Sequence, residues 1–137
     1  MENCIFCKIV RGEIPGVKIY EDEYALGLLD IHPVTKGHAV VIPKVHAELL
    51  FDLDDELTPK FFLSVKRALE RMKEVLSPDG FNVGWNNGPA GGQSVPHLHV
   101  HIIPRWHGDG GGNMHSIVHK ESDLSVAEVA QLFQIQK

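Results

Sequence analysis

The chain is poor in cysteine, in aromatic residues and in long apolar runs, and it carries no excess of positive charge. It has two cysteines in 137 residues, and aromatic residues make up 7%. Those two, Cys4 and Cys7, sit close together at one end of the chain, which points to metal or redox chemistry more than to a structural disulfide. No apolar run approaches the roughly 20 residues that a membrane-spanning helix needs, so no membrane partner is expected. The formal net charge of -5 argues against a general electrostatic grip on nucleic acid. A small anion held by local donors is still compatible with it. Met1-Glu2-Asn3-Cys4 has neither a basic start nor a long apolar stretch. It does not read as a signal peptide, and a cytoplasmic location is the expectation. There is no internal repeat and no low-complexity linker, so one domain is expected over residues 1–137.

What the chain has in abundance is histidine: nine of them. Three fall in the run His97-Leu98-His99-Val100-His101-Ile102-Ile103, where polar and apolar residues alternate. A strand sends successive side chains to opposite faces, so this spacing predicts three imidazoles on one face. An ordinary strand with exposed histidines is the bland alternative. A single ion shared by all three is geometrically hard, because His97 and His101 would stand about 13 Å apart along a strand. Division of labour among the three is the better reading.

The rest of the pattern predicts an α+β domain. A short helical turn is expected over about residues 5–11, strands over 17–20, 24–29 and 38–42, a strand over 81–86 and a short helix over about 124–133. The long helix should run from Pro59 to Leu76, with Thr58 as its N-cap. Phe62, Val65, Leu69, Met72 and Leu76 recur there at steps of three and four. The order predicts a mainly antiparallel sheet of about five strands, one long helix and short flanking helices.

Asn86-Asn87-Gly88-Pro89-Ala90-Gly91-Gly92-Gln93-Ser94 lies just upstream of the histidine run. A plain hairpin loop is one reading. Glycines that let backbone N–H groups converge on an anion are the other, and the neighbouring histidines favour it. No Gly-Lys-Ser/Thr follows, so it is not a Walker A loop. Cys4-x-x-Cys7 is compatible with zinc binding, with redox chemistry and with free thiols.

The run Asn86-x-Gly88-x-x-Gly91-Gly92-Gln93-Ser94-Val95-x-His97-x-His99-x-His101-Ile102-Ile103 resembles the signature of the histidine triad (HIT) nucleotide hydrolases and transferases. Ile5-Phe6-Cys7-Lys8-Ile9-Val10, Leu28-Leu29-Asp30-Ile31-x-Pro33 and Gly37-His38-x-x-Val41-Ile42-Pro43-Lys44-x-His46 agree with it. The likeness covers about residues 5–105 and leaves a tail over about 106–137. Gly-Gly-Gln-Ser-Val is similar to the Hint-like branch. His101-Ile-Ile-Pro104-Arg105 looks more like bacterial HIT proteins and the Fhit-like dinucleotide hydrolases.

The resemblance implies a HIT fold, a homodimer with the long helix and an edge strand at its interface, and hydrolysis at the α-phosphate of a purine nucleotide. Purine nucleoside phosphoramidates and dinucleoside polyphosphates are the implied substrates. His99 would attack the α-phosphate and form a nucleotidyl-histidine that water cleaves. His101 would serve the phosphate and leaving group, and Ser94 would hydrogen-bond the leaving group or pass it a proton. Asn86, Gly92, Gln93 and Ser94 would hold or shape the phosphate loop, with His38 supporting the triad. Asp30 would take the ribose hydroxyls, and Phe6, Ile9, Leu28 and Ile31 would line the base pocket. Structural zinc would be bound by Cys4, Cys7, His46 and His97, as in many bacterial HIT proteins. A nucleotide-binding sensor or interaction protein with incidental hydrolysis is the alternative from a different class, and a zinc-binding structural protein is a third. His32, His107, His115 and His119 carry no assignment.

Overall fold

The computed structural model describes residues 2–134. Five strands form one antiparallel sheet: β1 (Lys18–Glu21), β2 (Ala25–Leu29), β3 (Ala39–Pro43), β4 (Gly80–Gly84) and β5 (Val100–Arg105), in the order β1-β2-β3-β5-β4. Three α-helices accompany it: α1 (Ile5–Val10), α2 (Thr58–Leu76) and α3 (Val126–Leu132). The expected α+β class and five-stranded antiparallel sheet are both present. No described helix is long and apolar enough to cross a membrane.

Both faces of the central strands are covered, which is why β2 and β3 read as near-continuous apolar runs. Ala25, Ala39, Val41, Val100 and Ile102 pack under α2. Leu26, Leu28, Val40 and Ile42 point to the other face, against Phe6, Ile9 and Val10 of α1. The face that α2 buries is Phe61, Ser64, Val65, Ala68 and Met72. Phe62 and Leu69 border this stripe at half-burial, so the expected register is corrected by a fraction of a turn. The N-cap is also corrected. Leu57 holds that position, and Thr58, already helical, donates its hydroxyl to the Asp54 carbonyl at 2.9 Å.

One boundary matters for the site. β5 begins at Val100, so His97 and His99 lie in the segment just ahead of the strand, with His97 in a bend whose N–H donates to the Val95 carbonyl at 2.8 Å. That segment is held by the Leu98 N–H, which donates to the Ala47 carbonyl at 2.7 Å. Pro43 ends β3 without disrupting the sheet, because the pairing with β5 stops at Val41.

Candidate functional site

β5 delivers its histidine by register. His101 stands opposite Val40 on one side and Gly84 on the other, on the sheet face away from α2. His99 lies two residues earlier, with its ring centroid 5.1 Å from that of His101. His99 is 6% exposed, and its Nδ1 lies 2.7 Å from the His97 carbonyl. A carbonyl only accepts, so Nδ1 carries the proton and Nε2 holds the lone pair. Phe6 lies against His99, ring centroids 5.2 Å apart.

A second chain of contacts fixes His101. The Val34 N–H donates to His38 Nδ1 at 3.1 Å, so the proton of neutral His38 sits on Nε2. His38 Nε2 lies 2.9 Å from His101 Nδ1, which therefore accepts and leaves His101 Nε2–H as a free donor. Asp30 Oδ2 stands 3.4 Å from His38 Nε2 and 3.8 Å from His101 Nδ1. Burial pushes both imidazoles below their ordinary range against the pull of Asp30, and His101 falls to about 4. Asp30, His38 and His101 are close enough to suggest a cation site. The Val34 hydrogen bond opposes that, because metal binding at His38 Nε2 would require an imidazolate.

The phosphate-loop candidates divide. Gly88 and Gly92 adopt φ of 89° and 98°, a region that favours glycine. The Gln93 side chain is committed to the loop itself: its oxygen accepts from the Gly88 N–H at 2.8 Å, and its amide donates to the Glu48 and Val95 carbonyls at 2.7 and 3.0 Å. Asn86 reaches the Gly92 carbonyl at 3.4 Å. Ser94 is exposed and makes no side-chain hydrogen bond among the described residues. Of the expected base-pocket residues, Phe6, Ile9 and Leu28 share one cluster. Ile31 is 83% exposed and joins no apolar wall.

The four expected metal ligands come together from three separate segments. His97 Nδ1 lies 3.3 Å from Cys4 Sγ and 3.6 Å from Cys7 Sγ, and His46 Nδ1 lies 3.3 Å from Cys7 Sγ. All four ligand atoms fall within 4.8 Å of one another. Tetrahedral zinc would place sulfur and nitrogen ligands about 3.6 Å apart, so the cluster fits it. His97 Nε2 faces the Pro43 carbonyl at 3.0 Å, which puts the proton there and the lone pair toward the thiols. Burial holds His97 at about 4, so it is neutral at pH 7. Burial and the neighbouring Cys4 push the Cys7 thiol up, a penalty that a bound cation would reverse.

A cleft of about 570 Å³ opens beside His38, His101 and Asn86. Its far wall is the segment after β5, including Asp109, Met114 and Ile117. The sequence predicts a mobile Gly108–Gly112 stretch bordering the nucleotide site and gives the rest of the tail no role; the stretch does border the cleft, fastened by the Arg105–Asp109 pair, and Met114 and Ile117 beyond it carried no signal in the sequence.

Comparison with known proteins places these features. The HIT domain model matches residues 11–108. The chain is 48% identical over 127 residues to Protein hit of Bacillus subtilis, covering 90% of this chain and 88% of that one. It is 46% identical over 103 residues to the adenosine 5'-monophosphoramidase of Schizosaccharomyces pombe, covering 75% of this chain and 74% of that one. A crystal structure of a zinc-bound histidine triad protein from Mycobacterium smegmatis superposes with a TM-score of 0.74 at 43% identity, covering 80% of this chain and 79% of that one. With this sheet, this ordering of histidines and these relatives, the chain belongs to the HIT family.

Proposed function

We propose that the protein hydrolyses a bond at the α-phosphorus of a purine nucleotide through a covalent intermediate on His99. The observation that carries this reading is the His99–His97 hydrogen bond of 2.7 Å, which aims an unprotonated Nε2 away from the backbone. An imidazole held by one nitrogen, with the lone pair of the other directed outward, is a competent nucleophile.

In the first step the Nε2 lone pair forms a bond to phosphorus. The bond to the leaving atom breaks, and its electron pair stays with that atom, which takes a proton relayed from solvent through Ser94. In the second step water attacks phosphorus, the P–Nε2 bond breaks and His99 recovers its lone pair. His101 Nε2–H supplies a donor for the phosphoryl oxygens as their charge grows, whereas the Gly88, Gly91 and Gly92 N–H groups are taken up within the loop and hold its shape. Gln93 acts by shaping that loop. Asp30 serves the ribose, and Phe6, Ile9 and Leu28 form the apolar wall for the base. Cys4, Cys7, His46 and His97 would hold a structural zinc, and four protein ligands leave no position for substrate.

His99→Asn is the direct test. Turnover should fall at least about a thousandfold while nucleotide affinity stays within about threefold. Wild-type enzyme quenched during turnover should carry one nucleotidyl group on His99. Full activity of the variant would sink the mechanism, and binding without turnover in the wild type would favour a sensor.

A further inference from the structure

We infer, on the zinc reading and independently of the chemistry at His99, that Cys4 is an oxidation site. A small neutral peroxide reaches it through a cleft of its own, and the disulfide that Cys4 then forms with Cys7 discharges the metal.

Access comes first. A cleft of about 500 Å³ opens onto the ligand cluster. Cys4 and His46 line it together with Glu2, Asn3, Glu48 and Pro96, whereas Cys7 and His97 do not. Both thiols are buried, at 8% and 7% exposure, so it is the cleft that makes them unequal. It shares no lining residue with the cleft beside His101, so a reagent reaches Cys4 without crossing the proposed nucleotide site. Two of its lining residues, Glu2 and Glu48, are carboxylates, and no Lys or Arg joins them among the described residues. They repel an anionic disulfide such as oxidised glutathione and leave an uncharged peroxide unopposed.

The second thiol is in reach of the first. Cys4 caps α1, and its sulfur accepts from the Cys7 N–H at 3.4 Å. A step of three residues across the first helical turn puts the Cα atoms roughly 5 Å apart, within the range a disulfide spans. The two sulfurs lie within 4.8 Å of one another. The chain has no third cysteine to compete. Zinc ligation keeps both sulfurs as thiolates. Cys4 Sγ attacks one peroxide oxygen: an S–O bond forms, the O–O bond breaks, and the departing hydroxide takes a proton from solvent. Cys7 Sγ then attacks the Cys4 sulfur: the S–S bond forms, the S–O bond breaks, and a second hydroxide leaves and is protonated by solvent. Two electrons pass from the sulfurs to the peroxide, and two waters result. His46 and His97 then stand as two ligands, too few for a closed tetrahedral site.

The test treats the zinc-loaded whole chain with hydrogen peroxide and follows released zinc with a coloured chelator. About one zinc should appear per disulfide. Thiols counted after denaturation should fall from two to none, and the mass should drop by about 2 Da. Dithiothreitol with added zinc should reverse all three changes. Oxidised glutathione at the same concentration should act at least about tenfold more slowly. With a sulfenic-acid trap present during a brief treatment, the adduct should sit on Cys4 and not on Cys7. Cys7→Ser, which removes the resolving thiol, should accumulate that adduct. Because Cys7→Ser can bind zinc weakly, trapping in the wild type stands as an independent measure. Zinc and both thiols retained under peroxide, a trap adduct on Cys7, or oxidised glutathione as fast as peroxide overturns the inference and leaves the zinc reading intact. A wild-type chain that takes up no zinc overturns both.

Discussion

The residue that most clearly combines two duties is His101, which accepts a hydrogen bond at one ring nitrogen and keeps a donor at the other. Its Nδ1 faces His38 and its Nε2–H is free for substrate. Burial lowers it from 6.5 to about 4. This has a consequence for stability. Its folded value lies below its unfolded value, so the unfolded chain binds the proton first as pH falls. The folded state loses stability between about 6.5 and about 4, and nothing more is lost below that. The loss has an upper bound on the order of 3 kcal/mol. His101→Gln should therefore unfold in urea with a shallower pH dependence across that window. An unchanged slope would mean that folding does not lower the affinity of His101 for its proton.

At the scale of elements, the β1–β2 turn is fastened to α2 through Asp22. One carboxylate oxygen accepts from the Tyr24 and Ala25 N–H groups at 2.8 and 2.9 Å. The other accepts from the Tyr20 hydroxyl at 2.7 Å and from the buried Ser64 hydroxyl at 2.6 Å. Burial alone would raise this carboxyl, but the hydrogen bonds outweigh it and hold it below the usual range. Asp22→Ala should cost about 3 kcal/mol and Ser64→Ala about 1 kcal/mol, read as a lower urea midpoint with unchanged slope. Near-equal stability of Asp22→Ala and wild type would remove the clasp. This contact was not legible in the sequence, where Glu21-Asp22-Glu23 reads as a plain acidic turn. The sheet was legible, because alternation and turn residues are local signals. The start of β5 was not, because the alternation of His97 to His101 continues back into a segment whose partner, the Ala47 carbonyl, lies in a loop. The cleft was hidden for a similar reason: Met114 reaches Gly84 only after the chain turns back at Asp109.

At the scale of the whole molecule, the Cys/His cluster ties the N-terminus, the segment after β3 and the approach to β5 to one point. His97 connects that point to the chemistry. Its side chain faces Cys4 and Cys7, while its carbonyl orients His99. A bound zinc would therefore stabilise the fold and hold the proposed nucleophile's tautomer and angle through a single residue. The wild-type protein should carry about one zinc per chain, and Cys4→Ser should carry much less. Chelation should lower the melting temperature by about 10 °C, the shift expected when roughly 3–4 kcal/mol of ligand-linked stability is withdrawn from a chain of this size. The stripped protein should lose both kcat and nucleotide affinity, because the His97 carbonyl orients His99 and Phe6 stands between Cys4 and Cys7 with its ring against His97. Restoring zinc should recover both melting temperature and kcat together. Full retention of zinc by Cys4→Ser would remove that thiol as a ligand. A melting temperature unmoved by a chelator that takes the zinc would remove the metal from the account of stability.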